Sequence, residues 1–150
     1  MIAKATTISH GGNAVRYSVN KDKAEIVKVN FLPDDISAEA MYQRMVLKQK
    51  EFASTINKGR ALKRNVIRME ISPTKEESAG WTLDDWVRLA NEYIQVFDSI
   101  DLSKKAKRAS AKCTHVRHSQ YVVALHHDAK SGIPHLHIDV NRVDMDGKVN

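Results

Sequence analysis

The sequence predicts an α+β fold: a single domain with a largely antiparallel five-stranded sheet, helices packed on one face and a metal site on the other. Three observations carry this expectation. At 150 residues with 42% hydrophobic side chains, the chain can build one real core and is too short for two. Segments of period-two alternation and segments of helical spacing follow each other as strand, short helix, strand, helix, strand, helix, strand, strand, an order that suggests helices laid on an antiparallel sheet. The last two strand-like runs and the turn between them hold four of the seven histidines, within "LHHDAKSGIPHLHIDVNRVD", residues 125 to 144.

Each element has its own local reason. "MIAKATTI" alternates loosely enough for a first strand, "SHGG" breaks it, and "NAVRYSVNKDKA" is a short helical stretch. "EIVKVNFL" reads as a second strand ended by Pro33. Ser37 is an N-cap for a long helix whose Ala38, Met41, Met45, Phe52 and Ile56 recur at helical spacing, with Gly59 as its stop. In "NVIRMEIS" Ile67, Met69 and Ile71 alternate with Val66, Arg68 and Glu70, the pattern of a half-buried strand closed by Pro73. Thr82 and Asp85 form a capping-box pair at the head of a helix with Leu83, Trp86, Val87, Ala90, Tyr93, Ile94 and Phe97 on its apolar face. Asp84, Arg88, Asn91, Gln95 and Asp98 take the polar face. "QYVVALH" and "PHLHIDVNRV" then read as a hairpin turned near Gly132.

Composition narrows the function classes. Cys113 is the sole cysteine, which rules out an intrachain disulfide, and the opening "MIAKATTISHGG" lacks the apolar stretch of a secretory signal. No run approaches the ~18 apolar residues of a membrane span, so the expected location is the cytoplasm, with no membrane insertion. Net charge is +6 with a pI near 9.5. Residues 103 to 118 account for the whole excess, carrying Lys104, Lys105, Lys107, Arg108, Lys112 and Arg117 without an acid. Such a run is a solvated connector in the free chain and a phosphate clamp on binding nucleic acid. Lys58, Arg60, Lys63, Arg64 and Arg68 form a second acid-free cluster.

The histidines can be read by strand phase. In "HLHIDVN", Leu136, Ile138 and Val140 point toward the helices, while His135, His137, Asp139 and Asn141 point the other way, to open space. On the preceding strand Tyr121, Val123 and Leu125 are the apolar phase, leaving His126 on the side of His135 and His137. Residues two apart on a strand are separated by roughly 6.6 Å and neighbouring strands by about 4.8 Å, so imidazoles so placed can converge on one ion. Three histidine ligands leave an open coordination position, which suits a cation that polarises a substrate oxygen. His127 falls out of phase, and His10, His115 and His118 have no such company. Asp128 and Asp139 are placed to orient an imidazole or to serve as ordinary turn and edge carboxylates. Asn141 shares the phase of the ligands, though asparagine at a strand end also serves turns.

Read as His-x-Asp, a short turn, His-x-His and then Asn, "HHDAKSGIPHLHIDVN" resembles the third motif of plasmid-mobilisation relaxases, in the superfamily of His-hydrophobic-His (HUH) endonucleases. The opening "MIAKATTISHGGNAVRYSVNKDKAEIV" is similar to the start of the relaxase and mobilisation-nuclease family, where a glycine-containing turn leads to a tyrosine. The two matches lie at opposite ends in the right order, and the middle agrees only in its helix and strand pattern. The resemblance implies a relaxase catalytic domain over residues 1–150. Because the chain stops at "MDGKVN", after an Asp-Gly turn that promises another strand, that domain is expected to be either cut at its C-terminus or minimal.

What the resemblance implies is nicking of one strand of plasmid DNA at an origin of transfer, a tyrosine attacking the scissile phosphate to leave a 5′-phosphotyrosyl adduct and a free 3′-hydroxyl. Tyr17 fits that role. Tyr93, Tyr121 and Tyr42 each have a packing explanation and Tyr17 has none. A phenol of ordinary pKa near 10 is mostly protonated at neutral pH and needs help; Asp128 is a candidate for that help, and Arg16 for gripping a phosphate. His10 is a minor competitor for the nucleophile. Imidazole ligands alone suit zinc, copper, iron or nickel, whereas the resemblance implies Mg2+ or Mn2+, with Zn2+ or Ni2+ as alternatives. The expected partner is single-stranded or extruded origin-of-transfer DNA, together with accessory mobilisation proteins and a coupling protein. Two other readings stay open here: a rolling-circle replication initiator with the same chemistry, and a non-catalytic DNA-binding module.

Overall fold

The structure is a computed structural model and describes residues 1–104 and 112–150. Its elements in chain order are β1 (Ile2–Ile8), α1 (Gly11–Asn20), β2 (Glu25–Asn30), α2 (Ala38–Glu51), β3 (Val66–Ser72), α3 (Leu83–Ser99), β4 (Tyr121–His126) and β5 (His135–Asn141). The strands form one five-stranded sheet in the order β1-β3-β5-β4-β2, and every neighbouring pair is antiparallel. The β4–β5 hairpin sets His126 directly opposite His135.

The sheet answers the expectation; the helices are arranged differently. Among the described residues only α3 of the α-helices covers the face onto which Ile67, Met69, Ile71, Tyr121, Val123, Leu125, Leu136, Ile138 and Val140 project, contributing Trp86, Ala90 and Ile94 to that core. The other face, expected to be free of helices, carries α1 and α2, which build a second core from Val15, Met41 and Met45 over Val122. The reason lies in α1, whose buried residues Gly11, Ala14, Val15 and Ser18 make a narrow stripe of small side chains. Its first turn lies so close to β3 that a Cβ on Gly11 would collide with Val66. The glycine pair that reads as a breaker is thus the start of the helix: Gly11 lets it sit close on the sheet, and Gly12 leaves room for the Tyr42 ring of α2.

One helix boundary also moved. Ser37 caps α2, its hydroxyl accepting from Ala40 N at 3.1 Å, but the helix stops at Phe52, before Ile56 and Gly59. Helix α3 begins as expected, with the Asp85 carboxylate accepting from Thr82 N at 2.8 Å and from the Thr82 hydroxyl at 2.9 Å.

Asp98, placed by periodicity on the polar face of α3, is instead 6% exposed. It accepts from Thr114 Oγ1 at 2.7 Å, Val116 N at 2.8 Å and Arg117 N at 3.0 Å, so it ties the end of α3 to the segment that leads into β4. Replacing it with alanine strands buried donors; Asp98→Ala should cost about 3 kcal/mol, or a melting temperature lower by about 6–12 °C. Thermal unfolding checks this, and a shift under 2 °C would contradict it.

Candidate active site

The polar row of β5 runs under two helices. At its open end stand His135 and His137; Asp139 lies beneath α1, and Asn141 reaches α2. His126 from β4 completes a cluster in which one ligating atom from each of His126, His135 and His137 lies within 4.8 Å of the others. Ring centroids are 4.3 Å apart for His126 and His137, 5.0 Å for His135 and His137 and 5.5 Å for His126 and His135. The register explains the convergence: His126 faces His135 across the hairpin, and His137 follows two residues along the same face.

Hydrogen bonds to main-chain carbonyls orient two of these rings. His126 Nε2–H donates to Ser18 O at 2.7 Å and His135 Nδ1–H donates to Ile133 O at 3.4 Å, which leaves a lone pair on the other nitrogen of each ring. His126 Nδ1 and His137 Nε2 are buried and have no hydrogen-bond partner. Burial, then the charges of His126, Arg68 and His135, pushes the His137 imidazole down to about 3, and burial also lowers His126. Both rings are therefore neutral at neutral pH, the state in which imidazole binds a cation. Two orphaned buried nitrogens in a cluster of three converging imidazoles fit a divalent metal ion.

Helix α1 brings Tyr17 to this cluster. Its ring lies 5.5 Å from that of His126 and 5.7 Å from that of His137, and the residue is 41% exposed. Two cations flank it: the Arg68 guanidinium 5.0 Å and the Lys21 ammonium 5.2 Å from the ring centroid. Lys21 also pairs with Asp128 Oδ2 at 3.2 Å, and Asp128 Oδ1 lies 3.8 Å from His126 Nδ1. The Lys21 ammonium holds the Asp128 carboxyl below the usual range. The other tyrosines are elsewhere. Tyr121 is 3% exposed in the α3-side core, Tyr93 packs against that same core, and Tyr42 lies against Gly11 and Gly12.

Other expected site residues are placed differently. Asn141 makes no contribution to orienting the histidines: its amide donates to Met45 O and Gln120 Oε1, and its carbonyl oxygen accepts from Gln49 Nε2 and Val143 N, which fastens α2 to the sheet. Asp139 is fully buried beneath α1, its carboxylate oxygens without a hydrogen-bond partner of good geometry even though Ser18 faces it. Burial, partly offset by Ser18 and Arg68, pushes this carboxyl up to about 6. Arg16 pairs with Glu39 of α2 at 3.4 Å, and Arg117 pairs with Asp98 at 3.4 Å. Lys104 and Lys112 are exposed; Lys105, Lys107 and Arg108 lie outside the described residues. His127 points away from the cluster, bonded to Glu25 at 2.9 Å.

The buried carboxyl has a testable consequence. A folded-state value above the unfolded one favours the folded protein only while the group is protonated, so the penalty is absent below about pH 4 and complete above about pH 6. With chelator present, Asp139→Asn should raise stability at pH 7.5 by roughly 2–3 kcal/mol and leave it unchanged near pH 4. Paired melting curves at the two pH values check this; an equal gain at both would refute it.

Sequence reading missed three neighbours. Arg68 and Glu70 alternate on the polar phase of β3, but that phase joins the histidine face only once β3 is known to pair with β5, Arg68 opposite Asp139 and Glu70 opposite His137. The available signal for Lys21 was its place one helical turn after Tyr17. A cavity of about 280 Å³ walled by Ile2, Lys4, Glu70, Ser72, Ala129 and His135 opens beside the cluster.

An antiparallel sheet that offers a His-x-His pair and a third histidine to a helix-borne tyrosine is the arrangement of the HUH class of DNA-nicking nucleases. Within that class the chain belongs to the MobA/VirD2-like relaxases: the family's nuclease-domain model matches residues 17–150. No curated protein matches the chain. Among the described residues no helix is long and apolar enough to cross a membrane.

Proposed function

We propose that this chain nicks one strand of mobile-element DNA at an origin of transfer, with Tyr17 as the nucleophile. The observation that carries this reading is the half-exposed Tyr17 ring within 6 Å of two rings of the histidine cluster. The Tyr17 hydroxyl attacks the scissile phosphorus, the bond from phosphorus to the 3′ oxygen breaks, and the departing oxygen takes a proton to become a 3′-hydroxyl. The 5′-phosphate remains on Tyr17 as an ester. Because one phosphodiester replaces another, the released strand end can reverse the step without an energy source.

His126, His135 and His137 would hold the divalent ion, whose chemistry is to polarise a phosphoryl oxygen and offset charge building on it. The phenolic proton passes to Asp128 or to water. Asp128, held low by Lys21, is a weak base, so the larger assistance comes from the positive charge of Lys21 and Arg68 around the ring. The cavity beside His135 has room for part of a nucleotide flanking the nick. Exposed Lys58, Arg60, Lys63 and Arg64 supply cations to the phosphate backbone, which position DNA without reading its sequence.

The test uses single-stranded origin DNA labelled at its 3′ end, Mn2+ or Mg2+, and a denaturing gel. The expected product is labelled DNA that migrates with the protein and disappears when chelator is added first. Cleavage that releases all of the label as free DNA would replace the covalent reading with simple hydrolysis, and binding without cleavage would favour a DNA-binding module.

A further inference from the structure

Arg68 makes a hydrogen bond that a metal-loaded site cannot keep. Its Nη2 lies 3.2 Å from His137 Nδ1, and a guanidinium only donates. Nδ1 must therefore offer its lone pair, which puts the proton of the neutral ring on Nε2. Yet Nε2 is the buried nitrogen without a partner, and a cation there requires its lone pair, moving the ring proton to Nδ1. An imidazole N–H would then face a guanidinium N–H. A cation bound at Nδ1 instead would take the very lone pair that Arg68 uses. In either case Arg68 has to leave.

The surroundings provide for both groups after that exchange. Glu70 Oε1 stands 3.8 Å from His137 Nδ1 and is the acceptor within reach of a proton on that nitrogen, the kind of outer partner that metal-bound histidines use. Arg68 Nε is ion-paired with that same Glu70 Oε1 at 3.4 Å but makes no hydrogen bond of good geometry, so its departure also frees the Glu70 oxygen, and its guanidinium already lies over the Tyr17 ring. Lys21, the other cation at that ring, is occupied by Asp128.

We propose that cation binding displaces Arg68 from His137, leaves the newly protonated Nδ1 donating a hydrogen bond to Glu70, and commits the freed guanidinium to a nonbridging oxygen of the phosphate that Tyr17 attacks. The number of protons on His137 does not change; one leaves Nε2 and one arrives at Nδ1 by exchange with solvent. This rests on the nicking reaction proposed above. It makes Arg68 an opponent of metal binding and a contributor to the rate, two effects of opposite sign from one side chain.

That opposition is the test. Arg68→Met keeps the aliphatic stem and removes the charge. Mn2+ titration by calorimetry without DNA should show the variant binding about tenfold more tightly than the parent, since a nearby positive charge and a competing hydrogen bond are both gone. At saturating Mn2+ its nicking rate should fall by about a hundredfold, the usual scale for losing one donor to transition-state charge. Arg68→Lys, which keeps the charge, should recover part of the rate and lose most of the gain in affinity, and circular dichroism confirms folding of both. Unchanged or weaker Mn2+ binding in Arg68→Met would overturn the displacement and make Arg68 a support for the imidazole. Unchanged nicking at saturating Mn2+ would overturn the phosphate contact. If the parent protein fails to nick, the fault lies with the proposed reaction, and the Mn2+ titration still decides whether Arg68 yields to the cation.

Discussion

Tyr17→Phe should abolish the protein–DNA adduct, lowering strand cleavage by roughly 10⁴-fold or more, the scale on which enzymes lose activity with their nucleophile. The substitution removes one oxygen. The ring stays, with its edge-on approach to His137 and its place under Arg68 and Lys21, so neither the fold nor single-strand binding should change. A denaturing gel and a binding titration on the same samples separate the two quantities. An adduct that persists in Tyr17→Phe would assign the nucleophile to another residue; parallel loss of adduct and binding would mean the ring positions DNA.

His137→Ala should reduce cleavage by at least about a hundredfold at any attainable Mn2+ concentration, with DNA affinity retained because phosphate contacts and metal chemistry use different side chains. His137 lies in the middle of the cluster, within 5.0 Å of both other rings. Its loss leaves two imidazoles, too few for a tight site. A second readout follows from linkage: a ligand at a hundred times its Kd stabilises a folded protein by about 2.7 kcal/mol. Mn2+ should therefore raise the melting temperature of the parent and leave that of His137→Ala where it stands in chelator. Equal thermal responses to Mn2+ in both proteins would show that the cluster does not hold the ion.

Strand content and the histidine trio were legible because both depend on period two. Once Leu136, Ile138 and Val140 are assigned to one face, His135 and His137 must share the other, and a hairpin brings His126 into line. The N-cap at Ser37 and the capping box at Thr82 were legible for a similar reason, since a cap acts within four residues. The helical cover over Asp139 and Asn141 was not. A polar row on a strand looks solvent-facing unless its partners are known, and here they are distant in sequence: Ser18 beside Asp139, Gln49 and the Met45 carbonyl at Asn141. Asp98 misled in the same way, its partners lying sixteen to nineteen positions on. Arg68 and Glu70 became site residues only through the β3–β5 pairing, which no local pattern encodes.

Ser18 follows the proposed nucleophile in the chain, and its carbonyl receives the ring proton of His126 at 2.7 Å. That single latch couples aim to assembly: a rotation of α1 that swings the phenol off line also tugs an imidazole out of true. Under the chemistry proposed for Tyr17, loosening α1 would therefore remove the nucleophile and unseat a metal ligand together.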